Sequence, residues 1–82
     1  METARIIVVE DEPLTGATYA KVLSAEGHSV RMASDVFACR AALRAGPADV
    51  VLLDLGLPGI DGLTFARELH AAGDIGVIDS RG

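Results

Sequence analysis

The sequence predicts an α/β protein built on a parallel sheet with strand order 2-1-3-4, and three observations carry that expectation. Strand-like and helix-like stretches alternate along the chain. Each connection between strands is long enough to hold a helix, as a right-handed crossover between parallel strands requires. Two runs, Ile6-Ile7-Val8-Val9 and Val50-Val51-Leu52-Leu53, are wholly apolar and both lead into a carboxylate. Unbroken apolar runs of this kind suit strands covered on both faces, so the first and third strands are expected to be the central pair.

From Pro13 to Glu26 the period becomes helical. Proline suits a first helical turn, Leu14, Ala17, Lys21 and Val22-Leu23 follow a helical spacing, and Gly27 stops it. Gly16 weakens this helix without abolishing it. His28 to Met32 alternates weakly, with Val30 and Met32 on one face and Ser29 and Arg31 on the other, and reads as an edge strand outside the first. Ser34 is the expected cap of a second helix, about Asp35 to Ala45, ended by Gly46-Pro47. The loop from Leu55 to Asp61 holds Gly56, Pro58 and Gly59. Gly62 then opens a third helix, with Leu63, Phe65, Ala66 and Leu69 as apolar positions, that ends near Ala72-Gly73. Ile75 to Ile78 is the last strand.

With 82 residues the chain is one domain, and its core must be efficient at this size. Half the residues are apolar, almost all aliphatic, which marks a globular rather than a disordered chain. A net charge of -5, with seven basic residues scattered along the chain, argues against direct nucleic-acid binding. The apolar runs are too short for a signal peptide or a membrane span, so a cytoplasmic location is expected. Cys39 is the only cysteine, which excludes an intrachain disulfide and reads most simply as a small packed hydrophobe.

Strand order 2-1-3-4 puts a topological switch point between strands one and three, where ligands of open α/β sheets bind beyond the carboxyl ends. Glu10, Asp11 and Asp54 are expected to converge there. Carboxylates this close repel by up to about 4 kcal/mol per pair at an effective dielectric of ~20, so one must protonate or a cation must bind. Mg²⁺ suits such a cluster, because it takes a few carboxylate oxygens, keeps several waters and completes its shell with phosphate oxygens. An aspartate beside it is then placed to act as a nucleophile and become an acyl phosphate.

The stretches RIIVVEDEP, VVLLDLGLPGIDG and ARELHAAGDIGVI resemble the first two-thirds of a response regulator receiver domain, the CheY-like phosphoacceptor module of bacterial two-component systems. The resemblance spans residues 5 to about 78 and rests on the acid pair, the acceptor position and the L-x-L-P-x-x-D-G loop at matching element ends. It implies a flavodoxin-like, three-layer α/β/α fold, here a single incomplete receiver domain over residues 1–82 without the fifth strand and fifth helix. It implies Asp54 as the phosphoacceptor, with Mg²⁺ held by Asp11 directly, by Glu10 through water, by Asp54 and by the backbone carbonyl of Gly56. Glu12 falls outside the pair and is expected to be solvated. The implied partner is a sensor histidine kinase or a small phosphodonor, and the implied activity is a module's own phosphorylation and dephosphorylation rather than that of a conventional enzyme.

The chain departs from the family pattern after its last strand. Without gaps, the Ser/Thr position that bonds the phosphoryl group falls on Arg81, with Ser80 adjacent, and the position of the pairing lysine has no counterpart, since Lys21 lies in the first helix. Without a fifth helix, alternate side chains of strands three and four are expected to be bare on the face shared with the first helix. A homo-oligomer covering that face and the last strand's edge is therefore expected. The alternative reading is a truncated, non-signalling receiver fragment that acts only as an oligomerising interaction module.

Other chemistries fit less well. Aspartyl phosphatases need a second Asp two residues after the first, and Gly56 stands there. Thr15-Gly16-Ala17-Thr18 superficially resembles a phosphate loop of a flavin-binding relative, but the acids at residues 10 to 12 would repel the phosphate. Gly56, Gly59 and Gly62 match neither a P-loop nor a dinucleotide fingerprint and read, with Pro58, as turn residues. His28 and His70 have a phosphodonor reading that nothing around them supports. Arg40, Arg44 and Arg67 read as solvated helix faces.

Overall fold

Buried β-branched runs need partners on both sides, and the observed sheet supplies them. The computed structural model describes residues 3–53, 62–71, 73 and 75–79. The elements are β1 (Arg5–Val9), α1 (Pro13–Ala25), β2 (Ser29–Ala33), α2 (Val36–Ala45), β3 (Val50–Leu53), α3 (Gly62–Ala71) and β4 (Gly76–Asp79). All pairings are parallel and the order is β2-β1-β3-β4, as expected. β1 is central, and every residue from Ile6 to Val9 is buried.

The two faces of the sheet are packed unequally. Ile7 and Val9 of β1, Ala33 of β2 and Val51 and Leu53 of β3 point to one face. There they form a single core with Val36 and Cys39 of α2 and Phe65 and Leu69 of α3. Complete burial of a side chain such as Ile7, Leu53 or Phe65 contributes about 1.5–3 kcal/mol, so most of the folding free energy comes from this side. The opposite face is covered by α1, whose one buried residue is Gly16. Leu14 and Val22 of that helix are 79% and 58% exposed. On this face Val50 and Leu52 are half-buried, and Ile78, opposite Leu52 in the β3–β4 register, is 54% exposed. The expectation of bare side chains is met by Ile78 of the fourth strand, whereas those of the third are half-buried.

The helix ends correct two expectations. Glu12 is exposed, as expected, but it also caps α1: its carboxylate accepts the Leu14 N–H at 3.3 Å, with Pro13 in the first turn. Asp35 rather than Ser34 caps α2, its Oδ1 accepting the Ala38 N–H at 2.7 Å. A carboxylate also suits the positive end of the helix dipole. At the other end of α1, Gly27 adopts φ +93°, and the Gly27 and His28 N–H groups donate to Ser24 and Leu23 carbonyls. That left-handed turn is one in which a Cβ would be strained.

β2 begins one residue later than expected, and His28 serves the turn before it. Its Nδ1 accepts the Ala4 N–H at 3.0 Å, a structural bond rather than a catalytic one. The alternation of β2 is as expected, but Arg31 is not a surface charge. It lies on the α2 side, half-buried, and donates to the carbonyls of Ala42 (2.7 Å), Gly46 (3.1 Å) and Pro47 (2.8 Å). A guanidinium thus adds a second donor to the Ala42 carbonyl, which also accepts the Gly46 N–H at 3.1 Å, and supplies one to the carbonyls of the turn that follows.

At the amino ends of the strands Arg5 and Asp49 clamp β1 to the start of β3. Asp49 Oδ2 accepts the Arg5 backbone N–H (2.8 Å) and Nε–H (3.0 Å), and Oδ1 accepts from Nη2 at 2.9 Å. The side-chain bond to Arg5, reinforced by the backbone bond, lowers the Asp49 carboxyl from 3.8 to about 2. A depressed carboxyl contributes stability that is present above its unfolded value and lost as pH falls through its folded value. Acid titration of stability should therefore show a component between about pH 4 and pH 2 that Asp49→Asn removes, read as convergence of the two chains' melting temperatures at the acid end.

Candidate functional site

The carboxyl end of β1 is organised by backbone bonds before any ligand is considered. The Glu10 N–H donates to the Ala33 carbonyl at 3.0 Å, which prolongs the β1–β2 ladder by one residue. Glu10 Oε1 accepts the Glu12 N–H at 3.1 Å, and the Gly16 N–H donates to the Glu12 carbonyl at 2.9 Å. The result is a tight, acid-bearing turn from strand into helix. Beside it lies an open cleft of about 370 Å³ lined by Glu10, Asp11, Pro13, Met32, Ala33, Ser34 and Ala38. Glu10 is half-buried in this wall and Asp11 is exposed.

The parallel register relates this turn to the third strand. Val9, the residue before Glu10, pairs with Leu53, the residue before Asp54. Asp54 and Gly56 lie outside the described residues, as do Pro58, Gly59 and Asp61. Among the described residues no three of His, Cys, Asp and Glu gather into a metal-holding group, so two of the four expected ligands, Glu10 and Asp11, are seen together. Both offer hard oxygen donors at an open cleft, which fits an ion that binds a few carboxylates and keeps its waters.

The model of the response regulator receiver domain matches residues 6–78. The chain belongs to this family. This receiver is 40% identical over 76 residues to the transcriptional regulatory protein BaeR of Escherichia coli O6:H1, covering 93% of this chain and 32% of that protein. It is 46% identical over 66 residues to the transcriptional regulatory protein TcrA of Mycobacterium tuberculosis H37Rv, covering 80% of this chain and 26% of that protein. This receiver thus spans about a third or less of the length of these curated relatives. Among solved structures, the receiver domain of the TMAO respiratory system response regulator TorR superposes with a TM-score of 0.86 at 32% identity, covering 92% of this chain and 62% of that one.

Several residues take roles in this receiver that their sequence positions did not suggest. Arg40 is not merely solvated: its Nη2 donates to Glu68 Oε2 at 2.6 Å and its guanidinium lies 4.9 Å from the Phe65 ring centroid, joining α2 to α3. Both partners of that ion pair are substantially exposed, so the pair itself contributes little, and the stacking adds to it. Burial pushes the Cys39 thiol up to about 11 against the opposing charges of Arg31 and Arg40, which keeps it protonated and confirms it as packing. Thr15 to Thr18 lie within α1, so the stretch that resembles a phosphate loop is helix. His70 is exposed in the last turn of α3, and no helix among the described residues is long and apolar enough to cross a membrane.

Proposed function

We propose that this receiver is the phosphoacceptor of a two-component phosphorelay, taking a phosphoryl group from a histidine kinase or small phosphodonor onto Asp54 in an Mg²⁺-dependent reaction. The observation that supports the reading is the β1–β3 register: Val9 lies opposite Leu53 in adjacent parallel strands, and in the sequence Val9 immediately precedes Glu10-Asp11 as Leu53 precedes Asp54. A carboxylate oxygen of Asp54 attacks phosphorus, the new O–P bond forms as the donor's N–P or O–P bond breaks, and the leaving group takes up a proton from water or departs as an anion. Glu10, Asp11, Asp54 and the backbone carbonyl of Gly56 would hold Mg²⁺, which when bound offsets the repulsion between these acids and an incoming phosphoryl group. Glu12 is occupied as a helix cap and takes no part. A cytoplasmic location follows from this role.

Incubation with acetyl phosphate and Mg²⁺ should add the mass of one phosphoryl group, and chelation of the metal should prevent it. A chain that gains no mass in Mg²⁺ would leave only the interaction-module reading.

We also propose that a second copy covers the sheet face shared with α1. Ile78 is exposed there, and β4 is the outermost strand among the described residues. Light scattering at micromolar concentration should report a dimer or larger species; a monodisperse monomer would sink the proposal.

A further inference from the structure

Gly16 is the one buried residue of α1, and its surroundings are specific. A Cβ at this position would lie 2.7 Å from Met32 Cε and 3.5 and 3.7 Å from Glu10 Cβ and Cγ. At the first distance something must move, and Met32 Cε, the far end of a flexible side chain, is the atom that yields; the other two are ordinary van der Waals contacts. The space of the missing side chain is therefore shared by the methyl of Met32 and the stem of Glu10. Both residues line the acid cleft.

We infer that Gly16 is a positioning residue of the acid cleft: its lack of a side chain seats Met32 on α1 and backs the stem of Glu10, so that the Glu10 carboxylate faces the metal-binding end of the sheet. The inference rests on the metal reading above. A Cβ at residue 16 acts by one of two routes. Either the Met32 thioether leaves its seat and enters the cleft beside Glu10 and Asp11, or α1 backs away and Glu10 loses the surface that orients it. γ-carbons at residue 16 add a second conflict, because Glu10 is already at contact distance.

The test separates metal affinity from stability. Alanine is the better helix former, and that gain opposes the cost of displacing Met32, so Gly16→Ala should stay folded without metal with a melting temperature near that of the native chain. Its affinity for Mg²⁺, titrated as the chloride and followed by calorimetry, should nevertheless fall about tenfold, the lower end of what is lost when a group that orients a metal ligand is removed. Met32→Ala in the Gly16→Ala background should restore affinity by vacating the disputed space. Gly16→Val should bind more weakly still, and Met32→Ala should not rescue it. Native-like Mg²⁺ affinity in Gly16→Ala would overturn the inference while leaving the metal reading intact. Absence of Mg²⁺ binding by the native chain would instead overturn the metal reading, and the inference with it.

Discussion

Asp54→Asn is expected to abolish the phosphoryl mass gain entirely. Asparagine keeps the shape of aspartate but removes the charge, and its amide has no carboxylate oxygen able to form a mixed anhydride with phosphate. The loss should be complete rather than partial, because a covalent acceptor is being removed and not a stabilising contact. Asp11→Asn makes the contrast. It leaves the acceptor intact and removes one hard donor from the metal site, so mass should still be gained, more slowly and at higher Mg²⁺. Intact mass measured over time with acetyl phosphate distinguishes the two. A phosphoryl group found on Asp54→Asn would place the acceptor elsewhere in the chain.

Phe65→Ala should be the most damaging change to the fold. The ring is 1% exposed and lies at the centre of the core between α3 and the β1–β3 face, and one of its faces carries the Arg40 guanidinium. Truncating a buried phenylalanine costs about 3–5 kcal/mol in transfer and cavity terms. Small domains are stable by about 5–15 kcal/mol, and a chain of 82 residues with one well-packed sheet face belongs at the low end. Urea unfolding should therefore show a substantial fraction of Phe65→Ala unfolded without denaturant. Phe37→Ala, at an aromatic that is 73% exposed, is the internal control and should change stability little. Equal midpoints for the two variants would refute the one-sided core.

The strands were legible because their signal is local. Four consecutive β-branched or leucine residues admit few other readings, and β3 has the expected limits, Val50 to Leu53. The helix limits followed from proline and glycine, whose backbone restrictions act within one or two residues. The Glu12 cap was also within reach: a proline in the first helical turn makes the residue before it the cap, and a carboxylate there has an obvious N–H to accept. Helix α1 shows the limit of periodicity. Leu14 and Val22 follow a helical spacing, yet both are exposed, because the helix meets the sheet through Gly16, with Ala20 and Leu23 half-buried on the turns that follow.

Long cationic side chains were the least legible. Arg31 and Arg40 look alike in the sequence, but one seals the end of α2 from β2 and the other joins α2 to α3. A guanidinium reaches several ångströms from its Cα, so its partner depends on which elements pack together and at what distance. Nothing within a few residues of either arginine carries that information.

Composition and pattern alone therefore determined the α/β class and the strand order, because local backbone preference and burial set both, and they singled out Glu10, Asp11 and Asp54 as the acids proposed to carry the chemistry. Only the tertiary structure decided that the core lies almost wholly on the α2–α3 side, that Arg31 and Arg40 hold helices, and that Gly16 lies close to the Met32 methyl and the stem of Glu10. These are distances between residues remote in the chain. They depend on how closely each helix settles on the sheet, which side-chain volume at the contact governs and no local pattern records.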